Sequence, residues 1–291
     1  MRALSYFTGA DAAWAWTVVL AALGVSIASG VLSVLVVSRK LAAIGQGVSH
    51  AAFAGLGLAA VLGVAGSGLG LTLVTGVCCV ATAILVSWLG DRRGIGDDTA
   101  IGVLLVSSMA IGAVCLHAHT RFGVGRPDDV PSVVPGFESI LFGSLVEVGP
   151  AERNASLGVA LLVALLAWFA RRPLLSWAID DVGARAAGVP TALVRTALLA
   201  AIGVVVVVAV RVTGVVLASA LLVLPGAIAL RVSERLWAVA MLSVGSSAGA
   251  ALLGLFVSFE FDAPPGASIV LVLASMLGAT FVMTPRSARE N

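Results

Sequence analysis

Long apolar runs alternate with short polar interruptions along this chain, and the runs set its architecture. They cover 14–37, 43–64, 69–89, 99–117, 155–170, 193–210, 213–230, 236–258 and 267–284. A membrane-spanning helix needs roughly 20 predominantly apolar residues. Backbone groups in lipid must find partners within their own segment, which selects helices over open strands. The pattern predicts an all-α, polytopic transmembrane bundle of about eight or nine helices, with one membrane domain over residues 1–291. Gln46, Ser49 and His50 make the second run the least apolar. Only Arg211 and its neighbours separate the sixth and seventh, which leaves eight and nine both open.

The polar interruptions orient the bundle. With nine alternating helices, Arg39, Lys40, Arg92, Arg93, Arg171, Arg172, Arg185, Arg195, Arg231, Arg235, Arg286 and Arg289 fall on one side, 12 of the 17 Lys and Arg. Basic residues concentrate in cytoplasmic loops, so that side is inside. The C-terminus is then inside and, for nine helices, the N-terminus outside. Residues 118–153 form a long outer connection, and Phe137–Val148 within it is a candidate short helix dipping toward the membrane. The largest inner loop, 171–192, opens at Pro173 and closes at Gly188–Val189–Pro190. The stretch between predicts a short cytoplasmic helix along the membrane surface, a place to receive force from a soluble partner. Gly24, Gly30, Gly55, Gly57, Gly63, Gly66 and Gly70 predict close helix approach.

Composition removes the soluble alternative. The chain is 60% hydrophobic and 11% charged, against about 25% charged in ordinary globular domains. A net charge of +2 spread over short loops argues against a nucleic-acid partner. Cys78, Cys79 and Cys115 all lie in apolar runs without a CxxC pair and read as small packing residues. The first 13 residues show no secretory signal, having Arg2 as their only basic side chain.

Candidate chemistry is sparse and centres on His50, the only histidine within a span. Ionisable groups at membrane depth are rare and functional by default. Gln46 lies four residues earlier on the same helix face, and Ser49 on an adjacent one. A neutral imidazole binds zinc and similar metals well; the alternative is a buried histidine bonded to a neighbouring helix. His117 and His119 form an HxH at the outer end of the fourth helix and read as a solvated loop pair. Asp97, Asp98 and Thr99 read as an N-terminal cap. Asp180 and Asp181 suit either a cap or a partner contact, and Pro225 predicts a kink in the seventh helix. No GxxxxGK[ST], HExxH or GxSxG element occurs, which excludes P-loop nucleotide binding by this chain. No Asp or Glu lies well within a span, which argues against a proton-relay or sodium-coupled mechanism.

Six segments, in order, resemble the permease subunits of bacterial zinc/manganese/iron ABC importers. They are SRKLAAIGQGVSHAAFAGLGLA (38–59), GDDTAIGVLLVSSMAIG (96–112), ILFGSLVEV (140–148), AIDDVGARAAGVPTALVR (178–195), VTGVVLASALLVLPGAIALR (212–231) and FEFDAPPGASIVLV (259–272). The resemblance implies a homodimeric permease in the bacterial plasma membrane, served by cytoplasmic ATP-binding subunits and an extracytoplasmic metal-binding protein. It implies no covalently bound cofactor: zinc or manganese is cargo, with zinc ahead because imidazole without a carboxylate suits it better. ATP hydrolysis would belong to the partner chain. In the family an Asp and a His of the second-helix motif are thought to hold the ion. His50 matches the His, but Gln46 stands at the Asp position, which removes a charged oxygen ligand. The coupling helix would include Asp180, Asp181, Arg185, Ala186 and Gly188, with force passing through roughly 174–190. Pro225 beside Gly226 suits a pathway-lining kink. The competing expectation is a stand-alone secondary transporter or channel that works without an ATPase.

Overall fold

The computed structural model describes residue 9 and residues 12–90, 96–124 and 148–283. Residues 137–147 of the proposed dipping segment, together with Arg92, Arg93, Arg286 and Arg289, lie outside the described residues. The described chain forms α1 (Ala12–Ser38), α2 (Ala42–Val61), α3 (Gly68–Gly90), α4 (Asp97–Phe122), α5 (Pro150–Phe169), α6 (Arg171–Ile179), α7 (Asp181–Ala186), α8 (Thr191–Leu221), α9 (Leu224–Val232), α10 (Leu236–Phe261) and α11 (Pro265–Met283). No strand occurs among the described residues.

Among the described residues eight helical stretches are long and apolar enough to cross a membrane, and the longest, Thr191–Val232, has 42 residues. At 1.5 Å per residue that is about 63 Å, twice the hydrocarbon core of about 30 Å. The stretch is folded back on itself. Gly214 has φ 82° and ψ 167°, a conformation open essentially to glycine alone. Side chains along the stretch fix where each part lies. Arg195 pairs with Asp97 at the start of α4, at 2.6 Å. Arg211 donates to the Gly68 carbonyl at the start of α3 and approaches Glu152 at the start of α5, at 3.3 Å. Arg231 stacks on Phe281 near the end of α11. The chain therefore leaves the basic side near Arg195, reaches the opposite side at Arg211, and returns to Arg231. The two runs at 193–210 and 213–230 are separate crossings, and the described chain passes nine times.

The outgoing arm of α8 lies in the core with α1, α2 and α3, burying Leu199, Ile202 and Val206. Small residues set helix distances. A Cβ on Gly24 would lie 2.8 Å from the Ser156 backbone, and one on Gly57 2.6 Å from the Gly112 carbonyl oxygen. Gly30 and Gly55 are similarly tight, whereas Gly63 and Gly66 sit in the connecting turn and Gly66 meets nothing. Serine adds polar ties between α1 and its neighbours. Ser243 Oγ donates to the Gly30 carbonyl at 2.7 Å and Ser247 Oγ to that of Ser26 at 2.8 Å. Interhelical bonds of this kind contribute about 0.6 kcal/mol each on average. Much of the apolar surface of α3, α4, α5 and α11 stays exposed, including Val106, Leu161 and Val282. That is the expected surface where the solvent is lipid.

Candidate functional site

Helix α2 is buried on nearly every side. Its Gly47 packs on Ile101 of α4, Gly55 on Thr75 and Cys78 of α3, and Gly45 on Ser219 of α8 and on Leu222 just beyond it. One narrow strip stays open: Ala42 and Gln46 are exposed, and Ala43, His50 and Phe53 are half-buried. Toward the outer end it closes, because α4 comes in at Gly112 against Phe53 and Gly57. Helical spacing stacks Gln46 and His50 one turn apart on this strip. Neither side chain has a hydrogen-bond partner among the described residues. The bland expectation, a histidine tied to a neighbouring helix, is not what the fold shows.

The returning arm of α8 and the start of α9 expose a matching strip through Val216, Ser219, Ala220 and Val223. The helix is interrupted at Leu222–Val223. Pro225 sits in the first turn of α9, where its missing N–H costs nothing. The Gly226 amide donates to Ser33 Oγ at 2.8 Å, so the break leaves that donor satisfied inside the bundle. The interruption thus precedes Pro225 and is a full break rather than a bend. No group of three or more His, Cys, Asp and Glu converges among the described residues. The described residues therefore offer an imidazole and an amide, with serine hydroxyls nearby, and no closed metal cage.

His117 and His119 are on the last turn of α4 rather than in a loop. His119 is buried, and its Nδ1 bonds the Val124 carbonyl at 2.9 Å, while His117 is exposed against Phe122. They point apart and do not form a pair. The α4 start also differs from expectation. Gly96 occupies the cap position without a side-chain bond, and the Asp97 carboxylate accepts from Arg195 instead. Asp97 and Asp98 still sit in the first turn, where the helix dipole favours negative charge.

The inner loop forms two helices, not one. Asp180 separates them because its carboxylate caps α7, accepting from the Val182 amide at 3.0 Å. Arg185 pairs with Asp181 one turn away, at 2.6 Å. Gly188, at φ +80°, ends the helix in a Schellman arrangement: its amide donates to Arg185 and that of Val189 to Ala184. Ala184 is buried and Ala186 exposed. Trp177 of α6 is buried with the Arg39 guanidinium 4.4 Å above its ring, which anchors the unit to the base of α1. A polar cavity of about 650 Å³ lies behind it, lined by Arg39, Asp181, Arg185 and Arg195 among others. The tip carries Ile179 and Val182, 71% and 77% exposed. Two apolar side chains thus form an exposed knob on a capped, anchored helix pair. Sequence reasoning missed Ser219, Ile179 and Val182; the turn glycine and the amphipathic character of 174–186 were the available signals.

Known proteins match along nearly the whole chain. The model of the ABC 3 transport family matches residues 13–284. The "Manganese transport system membrane protein MntC" of Halalkalibacterium halodurans is 30% identical over 266 residues, 91% of this chain and 86% of that protein. A "Probable metal transport system membrane protein" of Thermotoga maritima is 31% identical over 247 residues, 84% of this chain and 80% of that one. Among solved structures, "PsaBC from Streptococcus pneumoniae in complex with Fab" superposes with a TM-score of 0.80 at 25% identity, covering 99% of this chain and 97% of that one. A multi-pass helical bundle with a capped helix pair on its basic side, matched in sequence and in fold along nearly its full length, is a multi-pass protein of the bacterial plasma membrane, and the chain belongs to the ABC 3 transport family of metal importer permeases.

Proposed function

We propose that this chain is the permease of a divalent transition-metal importer, and that two copies form the ion path between their α2 strips. The observation that carries the reading is Gln46. It is an exposed amide within a candidate membrane span, on the open strip of an otherwise buried helix. Leaving such a group unpartnered in hydrocarbon costs about 4–8 kcal/mol. A second copy of the strip would cover Gln46 and bring two His50 imidazoles to one axis. His50 then serves as the metal-binding gate, Gln46 as a neutral oxygen donor, and the break before Pro225 as the flexible wall opposite them. The permease domain is the whole membrane body.

Cytoplasmic ATP-binding subunits would dock on α6–α7, where Asp180, Asp181, Arg185, Ala186 and Gly188 hold the knob in shape. An extracytoplasmic metal-binding protein would deliver the ion. The family's architecture and the anchored knob support a separate ATPase; a secondary transporter would leave the knob without a role. Manganese and zinc are the two candidate cargoes. A lone imidazole suits zinc, whereas several relatives are named for manganese. The test is uptake into vesicles holding the permease with its ATPase, loaded with binding protein and metal. Uptake that needs ATP inside supports the reading, and uptake that persists without the ATPase refutes it.

A further inference from the structure

We propose that this chain holds one anionic phospholipid of the inner leaflet, with an acyl chain in a groove between α1, α5 and α8 and its phosphate at Arg171 and Arg172. The groove has a volume of about 230 Å³, and every residue that lines it is Leu, Val or Ala. It shares no residue with the α2 strip. Leu32 of α1, Val163 of α5 and Leu198 of α8 are its buried floor. The walls carry Ala167, Ala197 and Ala201, where larger side chains would close the gap between the helices. Leu166 and Leu193 also line it and are exposed, so the groove opens outward from the bundle.

Its place along the helices fits a single leaflet. From Leu193 to Ala201 the groove runs about 12 Å along α8, at 1.5 Å per residue. A hydrocarbon core about 30 Å thick gives each leaflet somewhat more than that. The groove begins on the basic side, where α5 ends and α8 starts. At that end Trp168 is exposed, with the Arg171 guanidinium 4.6 Å from its ring centroid. Tryptophan favours the membrane interface, so this pair marks the level of the headgroups. Ala170 lines the groove, and Arg171 and Arg172 follow it directly.

Both arginines are exposed, and neither joins an ion pair among the described residues. The other charges on these helices are engaged elsewhere. Arg195 pairs with Asp97, Arg39 lies over Trp177, and Glu152 meets Arg211 at the outer end. No Asp or Glu occurs between Arg153 and Ile179, so no carboxylate of α5 or α6 competes at this end. Positive charge at an inner helix end is ordinary in a membrane protein. What sets this pair apart is an apolar groove that starts at the adjacent residue. Basic pockets between membrane helices on the cytoplasmic side bind anionic headgroups, and an unfilled apolar space forfeits the contacts a chain would make. A zwitterionic lipid would fill the groove but bring no net charge to the arginines. Leu174 of α6 lines the groove too, so the lipid braces the root of the α6–α7 unit.

Native mass spectrometry of the full-length chain, released from nanodiscs of equal parts phosphatidylglycerol and phosphatidylcholine, tests this. One phosphatidylglycerol per chain should survive release, preferred about 30-fold over phosphatidylcholine, or about fivefold for each arginine. Arg171→Gln combined with Arg172→Gln should bring that preference below about threefold while lipid is still retained. Ala197→Phe fills the groove and should expel both lipids; Ala201→Leu, a smaller insertion at the same groove, should act likewise. Because Ala197 is exposed, the thermal midpoint of its variant should hold. Equal retention of the two lipids by the wild type is the behaviour of an ordinary boundary lipid and overturns the proposal. An unchanged preference in the double arginine variant overturns it, as does unchanged lipid retention in both groove-filling variants. A dimer released without lipid overturns it as well, because a second copy then covers the groove.

Discussion

Replacing Ile179 and Val182 together with serine should uncouple the permease from its ATPase while leaving the bundle intact. Both side chains project from the α6–α7 unit, 71% and 77% exposed, with no role in the core. Full burial of an Ile or Val side chain is worth about 1.5–3 kcal/mol. Since roughly three-quarters of each remains to be buried, docking gains about 1–2 kcal/mol per residue, or about 2–4 kcal/mol for the pair. At 1.4 kcal/mol per tenfold, the double variant should bind its ATPase about 30- to 700-fold more weakly. Exposed substitutions usually alter stability by no more than about 0.5 kcal/mol, so the isolated permease should melt within a few degrees of wild type. Titration of the purified ATPase onto the permease in nanodiscs reads the affinity directly, with ATP hydrolysis as a second signal. An affinity within threefold of wild type would refute the assignment of this tip as the docking knob.

Further outcomes follow from the same structure. Gly214→Ala places a Cβ where φ is 82° and ψ 167° and should lower stability by about 1–3 kcal/mol; a thermal midpoint equal to wild type would show that the reversal is not strained. Gly226→Val drives a side chain into Ser33, whose carbonyl oxygen lies 2.5 Å from the position of the new Cβ, and should abolish recovery of folded protein in a size-exclusion profile. Gln46→Asp restores the family's charged oxygen ligand and should strengthen ion retention in an equilibrium metal-binding assay; unchanged retention and unchanged metal preference would make Gln46 a packing residue.

The membrane bundle was legible because apolar runs of about 20 residues have one physical solution in lipid. The nine crossings were legible only as two options. Arg211 reads in sequence as a polar gap, and its ties to Gly68 and Glu152 depend on residues far away along the chain. His50 and Gln46 were visible as polar groups at helical spacing, but their openness was not: it depends on which glycines bring α3, α4 and α8 against the other faces of α2. The inner helix was read as one because 174–186 has continuous helical character, whereas the break depends on which atom the Asp180 carboxylate chooses. His119 shows the same limit, since a histidine near a helix end reads as solvated until its partner, the Val124 carbonyl, is in place.

Uptake of labelled manganese and zinc into vesicles containing the full importer, wild type against His50→Ala, addresses the central claim most directly. The account predicts that His50→Ala assembles normally with its ATPase, still hydrolyses ATP, and takes up neither metal above background. Uptake at the wild-type rate by a correctly assembled His50→Ala complex would contradict it and place the ion path away from α2.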